Sequence, residues 1–233
     1  WYKADVGILG ERVCDIGVLP ASSADTVIDA SGLAVSPGFV DIHGHSDLVF
    51  PLEDNAEILS PFVCQGTTTQ VIGNCGISPA PVNKDSLSLI KGYLALITAR
   101  ETPWNWSSFG DYLAVLEKTG TVMNVAPLVG QGAIRFSVMG AKSEEPTKSE
   151  RNDMSTLLAR TLEEGAIGMS AGLIYPPGMW ATTEDLIDLC HVVARYGGVF
   201  TCHVRGSSET AIESEREIVE IGRKTGVRVE HSH

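Results

Sequence analysis

The chain has 233 residues, 43% of them hydrophobic and 20% charged, with a formal net charge of −12. Such an acidic balance argues against nucleic acid and anionic membranes as partners, and no apolar run is long enough to span a bilayer. The composition is that of a globular protein, long enough for one large domain or one domain plus part of another. The start, Trp1-Tyr2-Lys3-Ala4-Asp5, lacks the basic segment and apolar core of a signal peptide. Five scattered cysteines without a Cys-x-x-Cys pair point to individual thiols in a reducing compartment, so a cytoplasmic protein is expected.

Along the chain, residues 4–36 read as short strands. Residues 5–9 and 12–19 flank a Gly10-Glu11 turn, and 26–35 follows as a third strand. From Gly38 the pattern becomes strands alternating with helical periodicity. Strands are expected at 38–42, 67–72, 122–129, 166–170, 198–203 and 227–233, as the short apolar runs of a parallel sheet buried on both faces. Helical stripes lie between them. Phe109, Tyr112, Leu113 and Leu116 form one. Met154, Leu157, Leu158, Thr161 and Leu162 form another, after the capping-box spacing Thr147-x-x-Glu150. Leu186, Leu189, Val192 and Val193 follow the capping residues Thr182 and Thr183, and Gly197-Gly198 closes that helix. A further helix is expected over 208–223. Repeated βα units of this kind predict an α/β fold with a parallel sheet. A (β/α)8 barrel is the leading closure and an open doubly wound sheet the second. With six such strands against the eight of a barrel, the chain reads as part of a longer one.

The residues suited to chemistry fall at strand ends. His43 and His45 close the run Pro37-Gly38-Phe39-Val40-Asp41-Ile42-His43-Gly44-His45-Ser46-Asp47. At i and i+2 on a strand they share a face and could share a metal. Cys75 ends the second strand, His203 the fifth and His233 the sixth, where barrels of this type carry their active sites. Each has a plainer alternative. A free cysteine such as Cys75 is commonly a small buried hydrophobe. His231 shares strand parity with His233, so both are expected to face inward, and spacing alone leaves either as the ligand, with position favouring His233. Cys202 should face the helices, Cys14, Cys64 and Cys190 should be structural, and His191 should lie on a helix surface. No phosphate-binding loop occurs, and Ser170 and Ser207 lack a nucleophile elbow.

Several ordered motifs together resemble the N-acyl-D-amino-acid deacylases, or D-aminoacylases, of the amidohydrolase superfamily. They are the Pro37–Asp47 run, Gln65-Gly66-Thr67-Thr68-Thr69, Gly73-Asn74-Cys75-Gly76, Trp104-Asn105-Trp106, the glycine-rich run from Gly165 to Gly178, and His203-Val204-Arg205. The resemblance covers nearly the whole chain. It implies a (β/α)8 barrel over 37–233, about six strands of it present, beside a small β-sandwich to which 1–36 contributes. It implies one or two zinc ions, the tighter held by Cys75, His203 and His233 and the weaker by His43 and His45. It also implies hydrolysis of the amide bond of a small N-acyl-D-amino acid. Ile174 and Tyr175, on the loop after the fourth strand, are candidates for the acyl or side-chain pocket, with ordinary loop packing as the equal alternative. The family's catalytic aspartate and its carboxylate-gripping lysine and arginine would lie beyond His233. Two departures bear on substrate: Gln131 stands where relatives often carry histidine, and Gly206-Ser207 stand where acidic residues are common. The alternatives are an amidohydrolase acting on cyclic amides or dipeptides, or a chain that binds metal without turnover. The sequence sets no oligomeric state.

Overall fold

The computed structural model describes residues 2–233 apart from 96 and 99. The chain divides into two compact units, Trp1–Pro37 and Gly38–His233. In the first, β1 (Asp5–Leu9) and β2 (Arg12–Gly17) form an antiparallel hairpin about Gly10-Glu11. Gly10 takes the left-handed φ of +60° that this tight turn needs. The strand expected at 26–35 is absent. A strand exists through its paired neighbour, and among the described residues none pairs with this stretch, whose Val27, Ile28 and Leu33 are exposed.

The second unit carries the predicted alternation of strand and helix. Its strands are β3 (Phe39–Asp41), β4 (Thr67–Ile72), β5 (Asn124–Pro127), β6 (Val129–Gly130), β7 (Gly168–Gly172), β8 (Val199–His203) and β9 (Arg228–His231). They form two sheets, β3-β4-β5 and β6-β7-β8-β9, in which every neighbour is parallel and next in the chain. β5 and β6 are one stretch interrupted at Leu128, whose N–H donates to Ile72 O at 2.9 Å. The two sheets therefore share that stretch, and six parallel segments stand where six were expected. Ile72, Val129, Met169 and Phe200 are fully buried from these strands. β3 differs from the expectation of a buried strand: Phe39, Val40 and Ile42 are exposed, because β3 is an edge that pairs only with β4 among the described residues.

The connections are helical, as parallel pairing requires. They comprise α1 (Asn55–Ile58), α2 (Ser60–Cys64), α3 (Leu87–Leu94), α4 (Phe109–Thr119), α5 (Gln131–Met139), α6 (Lys148–Glu163), α7 (Thr183–Arg195) and α8 (Ala211–Thr225). α5 is absent from the sequence reading for a physical reason. It opens Gln-Gly-Ala, a poor helix start, and seven of its nine residues are buried, so no polar face marks its period. Among the described residues no helix is long and apolar enough to cross a membrane.

α4, α6 and α7 each begin with a reciprocal capping box, Ser108 with Asp111, Thr147 with Glu150 and Thr182 with Asp185. Hydrogen bonds from Ser108 and Ser107 hold the Asp111 carboxyl at about 2, against an ordinary 3.8. The Lys142 ammonium and the Thr147 N–H and hydroxyl hold Glu150 at about 2, against 4.5. Folded values below unfolded ones mean a contribution present above the ordinary carboxylate range and lost as pH falls through it. The thermal midpoint of the intact protein is expected to fall from about pH 4.5 toward pH 2, and less steeply in Asp111→Asn/Glu150→Gln. Equal slopes in the two proteins would contradict this assignment.

Candidate metal centre

The loop after β4 sets the centre. Gly73, Cys75 and Gly76 all take positive φ, +76°, +56° and +73°, which turns the chain sharply and lifts the Cys75 side chain out of the strand line. Asn74, fully buried, donates to Val71 O at 3.0 Å and to Gly44 O at 3.4 Å. That joins the Cys75 loop to the His43-Gly44-His45 segment after β3. Gly44 leaves room there for the buried Gln70, whose side chain would have to shift because an added Cβ would lie 2.3 Å from its Cδ. The His43 N–H donates to Asp41 Oδ1 at 3.1 Å, and Gln70 Nε2 holds the other oxygen at 2.9 Å.

Five predicted side chains meet here. Cys75 Sγ lies 3.3 Å from His43 Nε2, 3.7 Å from His233 Nε2 and 3.9 Å from His203 Nδ1. The donor atoms form two triads, His43-His45-Cys75 and Cys75-His203-His233, each with all atoms within 4.8 Å. Cys75 belongs to both. The donor chemistry fits a zinc-like ion: a tetrahedral centre with Zn–S of about 2.3 Å and Zn–N of about 2.0 Å puts sulfur and nitrogen about 3.5 Å apart. The buried Nδ1 atoms of His43 and His45 have no hydrogen-bond partner among the described residues, so both rings retain a free nitrogen.

Electrostatics favours neutral imidazoles. Burial pushes His45 down to about 4 and lowers His43 and His203, with neighbouring imidazoles adding to the shift. Neutral imidazole is the form that binds metal. Burial pushes the Cys75 thiol up to about 11. A cation beside it would favour the thiolate instead. Asp47, in the same run as the two histidines, is almost fully buried and pushed up to about 7 by burial.

Strand parity misassigns one histidine. His231 is exposed and lies 3.1 Å from Glu215 on α8, facing away from Cys75. β9 ends at His231, so the period of two stops there, and the Ser232 N–H turns back to Cys202 O at 3.0 Å. His233 then meets the cluster from beyond the strand, with its ring centroid 4.5 Å from that of His203. Cys190 and Cys202 are buried, as expected for packing thiols, whereas Cys14 and Cys64 are exposed.

Of the two pocket candidates, Tyr175 reaches the centre. Its ring lies 5.4 Å from His203, and its hydroxyl donates to Cys75 O at 2.9 Å. Ile174 is 44% exposed, pointing to solvent rather than into the cluster. Arg205 is committed to bracing. It grips Glu217 with Nε at 3.0 Å and Nη2 at 2.9 Å, and donates to Met179 O and Ala181 O in the turn after β7. Ser170 is the contributor that sequence reasoning missed. Weighed there only as a nucleophile, it is fully buried and hydrogen-bonds the Cys75 loop. No local motif marks that role, because its partners lie more than ninety residues away.

Comparisons with known proteins place the chain among similar sequences and folds. A family model described as the amidohydrolase family matches residues 26–213. The N-acyl-D-glutamate deacylase of Alcaligenes xylosoxydans xylosoxydans is 38% identical over 233 residues, covering 99% of this chain and 46% of that protein. A D-aminoacylase structure described in terms of its binuclear metal centre superposes with a TM-score of 0.84 at 37% identity, over 97% of this chain and 46% of that one. The N-acyl-D-glutamate deacylase of Bordetella bronchiseptica, complexed with zinc and a phosphonate mimic of the tetrahedral intermediate, superposes with a TM-score of 0.83 at 35% identity, over 97% and 46%. The chain spans about half the length of the curated relatives it matches.

Proposed function

Because the chain belongs to the amidohydrolase family, we propose that its parent protein hydrolyses the amide bond of N-acyl-D-amino acids at a zinc centre built on Cys75. The observation that carries this is the convergence of Cys75, His43, His45, His203 and His233 into two triads sharing one sulfur. The relatives named N-acyl-D-glutamate deacylase and D-aminoacylase supply the substrate class. In this reading residues 37–233 are part of a (β/α)8 barrel and residues 1–36 are part of a β-sandwich.

Zinc, when bound, polarises the amide carbonyl as a Lewis acid and makes water nucleophilic near neutral pH. The chain's own residues do the rest. By resemblance, Cys75, His203 and His233 would hold the tighter ion, while His43 and His45, with the shared Cys75, would hold the weaker one. The thiolate would place one negative charge among neutral imidazoles and so favour a bound cation. Tyr175 presents its ring beside His203, forming one wall of the substrate site, with Ile174 at its rim. Protonation of the leaving amine falls to an acid supplied from beyond residue 233, an aspartate by resemblance. The protein works in the cytoplasm, on a small molecule and without nucleic acid.

The test is the zinc-loaded, full-length protein assayed for free amine release from N-acetyl-D-glutamate, N-acetyl-D-aspartate and an N-acetyl-D-amino acid with an apolar side chain, each beside its L-enantiomer. Hydrolysis of a D-substrate, with its L-enantiomer cleaved much more slowly, is expected. Turnover confined to cyclic amides or dipeptides, or none with stoichiometric zinc present, would overturn the deacylase assignment.

A further inference from the structure

Cys75 is the shared ligand candidate, yet its backbone sits at φ +56°, a conformation that residues other than glycine rarely hold without outside restraint. Asn74 anchors the loop from within, Tyr93 on α3 reaches Cys75 O at 3.5 Å and the Gly132 N–H donates to Gly76 O, but the shortest side-chain bonds from outside the loop come from β7 and the turn after it. The Ser170 hydroxyl accepts from Gly76 N–H at 2.9 Å and donates to Gly73 O. It thus spans the residues on either side of the Asn74-Cys75 pair. Five residues on, the Tyr175 hydroxyl donates to Cys75 O itself. Ser170 has no exposed surface, so water cannot replace either of its bonds.

We propose that Ser170, assisted by Tyr175, is a positioning residue that holds the Cys75 loop in its left-handed turn and thereby aims the sulfur at both triads. This rests on the zinc reading above. Ser170 acts through the peptide groups of residues 73 and 76, and Tyr175 acts through the Cys75 carbonyl. Since Tyr175 also faces the substrate side of the centre through its contact with His203, the same segment links the pocket wall to the ligand loop.

Zinc affinity of the full-length protein, measured by competition with a chromogenic chelator, tests the inference. Ser170→Ala is expected to bind zinc about 10–100-fold more weakly, the range typical of losing an outer partner of a ligand. Tyr175→Phe, removing one bond to the same loop, is expected to weaken it roughly 2–10-fold. With cobalt in place of zinc, the thiolate-to-metal absorption of both variants should shift or weaken. Leu158→Ala, which opens the core within α6, lowers thermal stability and should leave affinity and spectrum within about twofold of the parent. A parent protein that binds no zinc would overturn the zinc reading itself. A parent that binds zinc, with Ser170→Ala equal to it, would overturn this inference alone. If Ser170→Ala does not fold, Tyr175→Phe with parental affinity and parental cobalt absorption overturns it.

Discussion

Replacing Cys75 with alanine is expected to abolish zinc retention altogether, whereas His43→Ala or His45→Ala should weaken only one of two positions. The difference follows from the sharing: Cys75 is the one residue common to both triads. Its loss removes the anionic donor that the described residues supply beside four imidazoles. The effect should exceed the roughly 10–100-fold expected for an outer hydrogen-bond partner. The fold should survive, because alanine keeps the backbone and removes a single sulfur atom from a buried site, a cost of about 1 kcal/mol. Metal content by mass spectrometry and thermal unfolding of the chelated protein check the two halves. Stoichiometric zinc in Cys75→Ala would contradict the ligand assignment.

Gly73→Ala is expected to have the largest effect on the fold. A Cβ on Gly73 would lie 1.9 Å from Leu128 O, and Gly73 sits at φ +76°. Leu128 cannot yield, since its own N–H is bonded to Ile72 O and it joins β5 to β6. Clash and backbone strain together should cost about 3 kcal/mol or more, and zinc should be lost with them because Cys75 is two residues away. Gly92→Ala is the matched contrast. Gly92 lies within α3, where an added Cβ meets nothing within 4 Å, so a gain of about 0.4–1 kcal/mol is expected. Denaturant unfolding of the chelated protein measures both. A loss below about 1 kcal/mol in Gly73→Ala would contradict the argument.

Much of the second unit was legible in the sequence, because two independent signals agreed. Short β-branched runs marked the six parallel segments, stripes at helical spacing marked α4, α6 and α7, the last two with cap residues before them, and a helix was expected where α8 lies. Legibility failed where those signals vanish. α5 is buried nearly all round, β3 is an exposed edge written in apolar residues, and the stretch 26–35 has strand-forming residues without a strand beside it. The histidine pair and the strand-end positions of Cys75, His203 and His233 led to the centre through strand periodicity. The same rule misplaced His231, because the period of two ends with β9 while the chain goes on to His233. Ser170 illustrates a different limit. A serine whose value lies in hydrogen bonds to a loop far away in sequence leaves no local trace.

The central claim is that a thiolate and imidazoles from four strand ends hold zinc. X-ray absorption at the zinc edge of the full-length protein tests it most directly. The account predicts one sulfur at about 2.3 Å together with nitrogen or oxygen ligands at about 2.0–2.2 Å, with the sulfur contribution lost in Cys75→Ala. A parent spectrum with no sulfur scatterer, only nitrogen and oxygen, would contradict it.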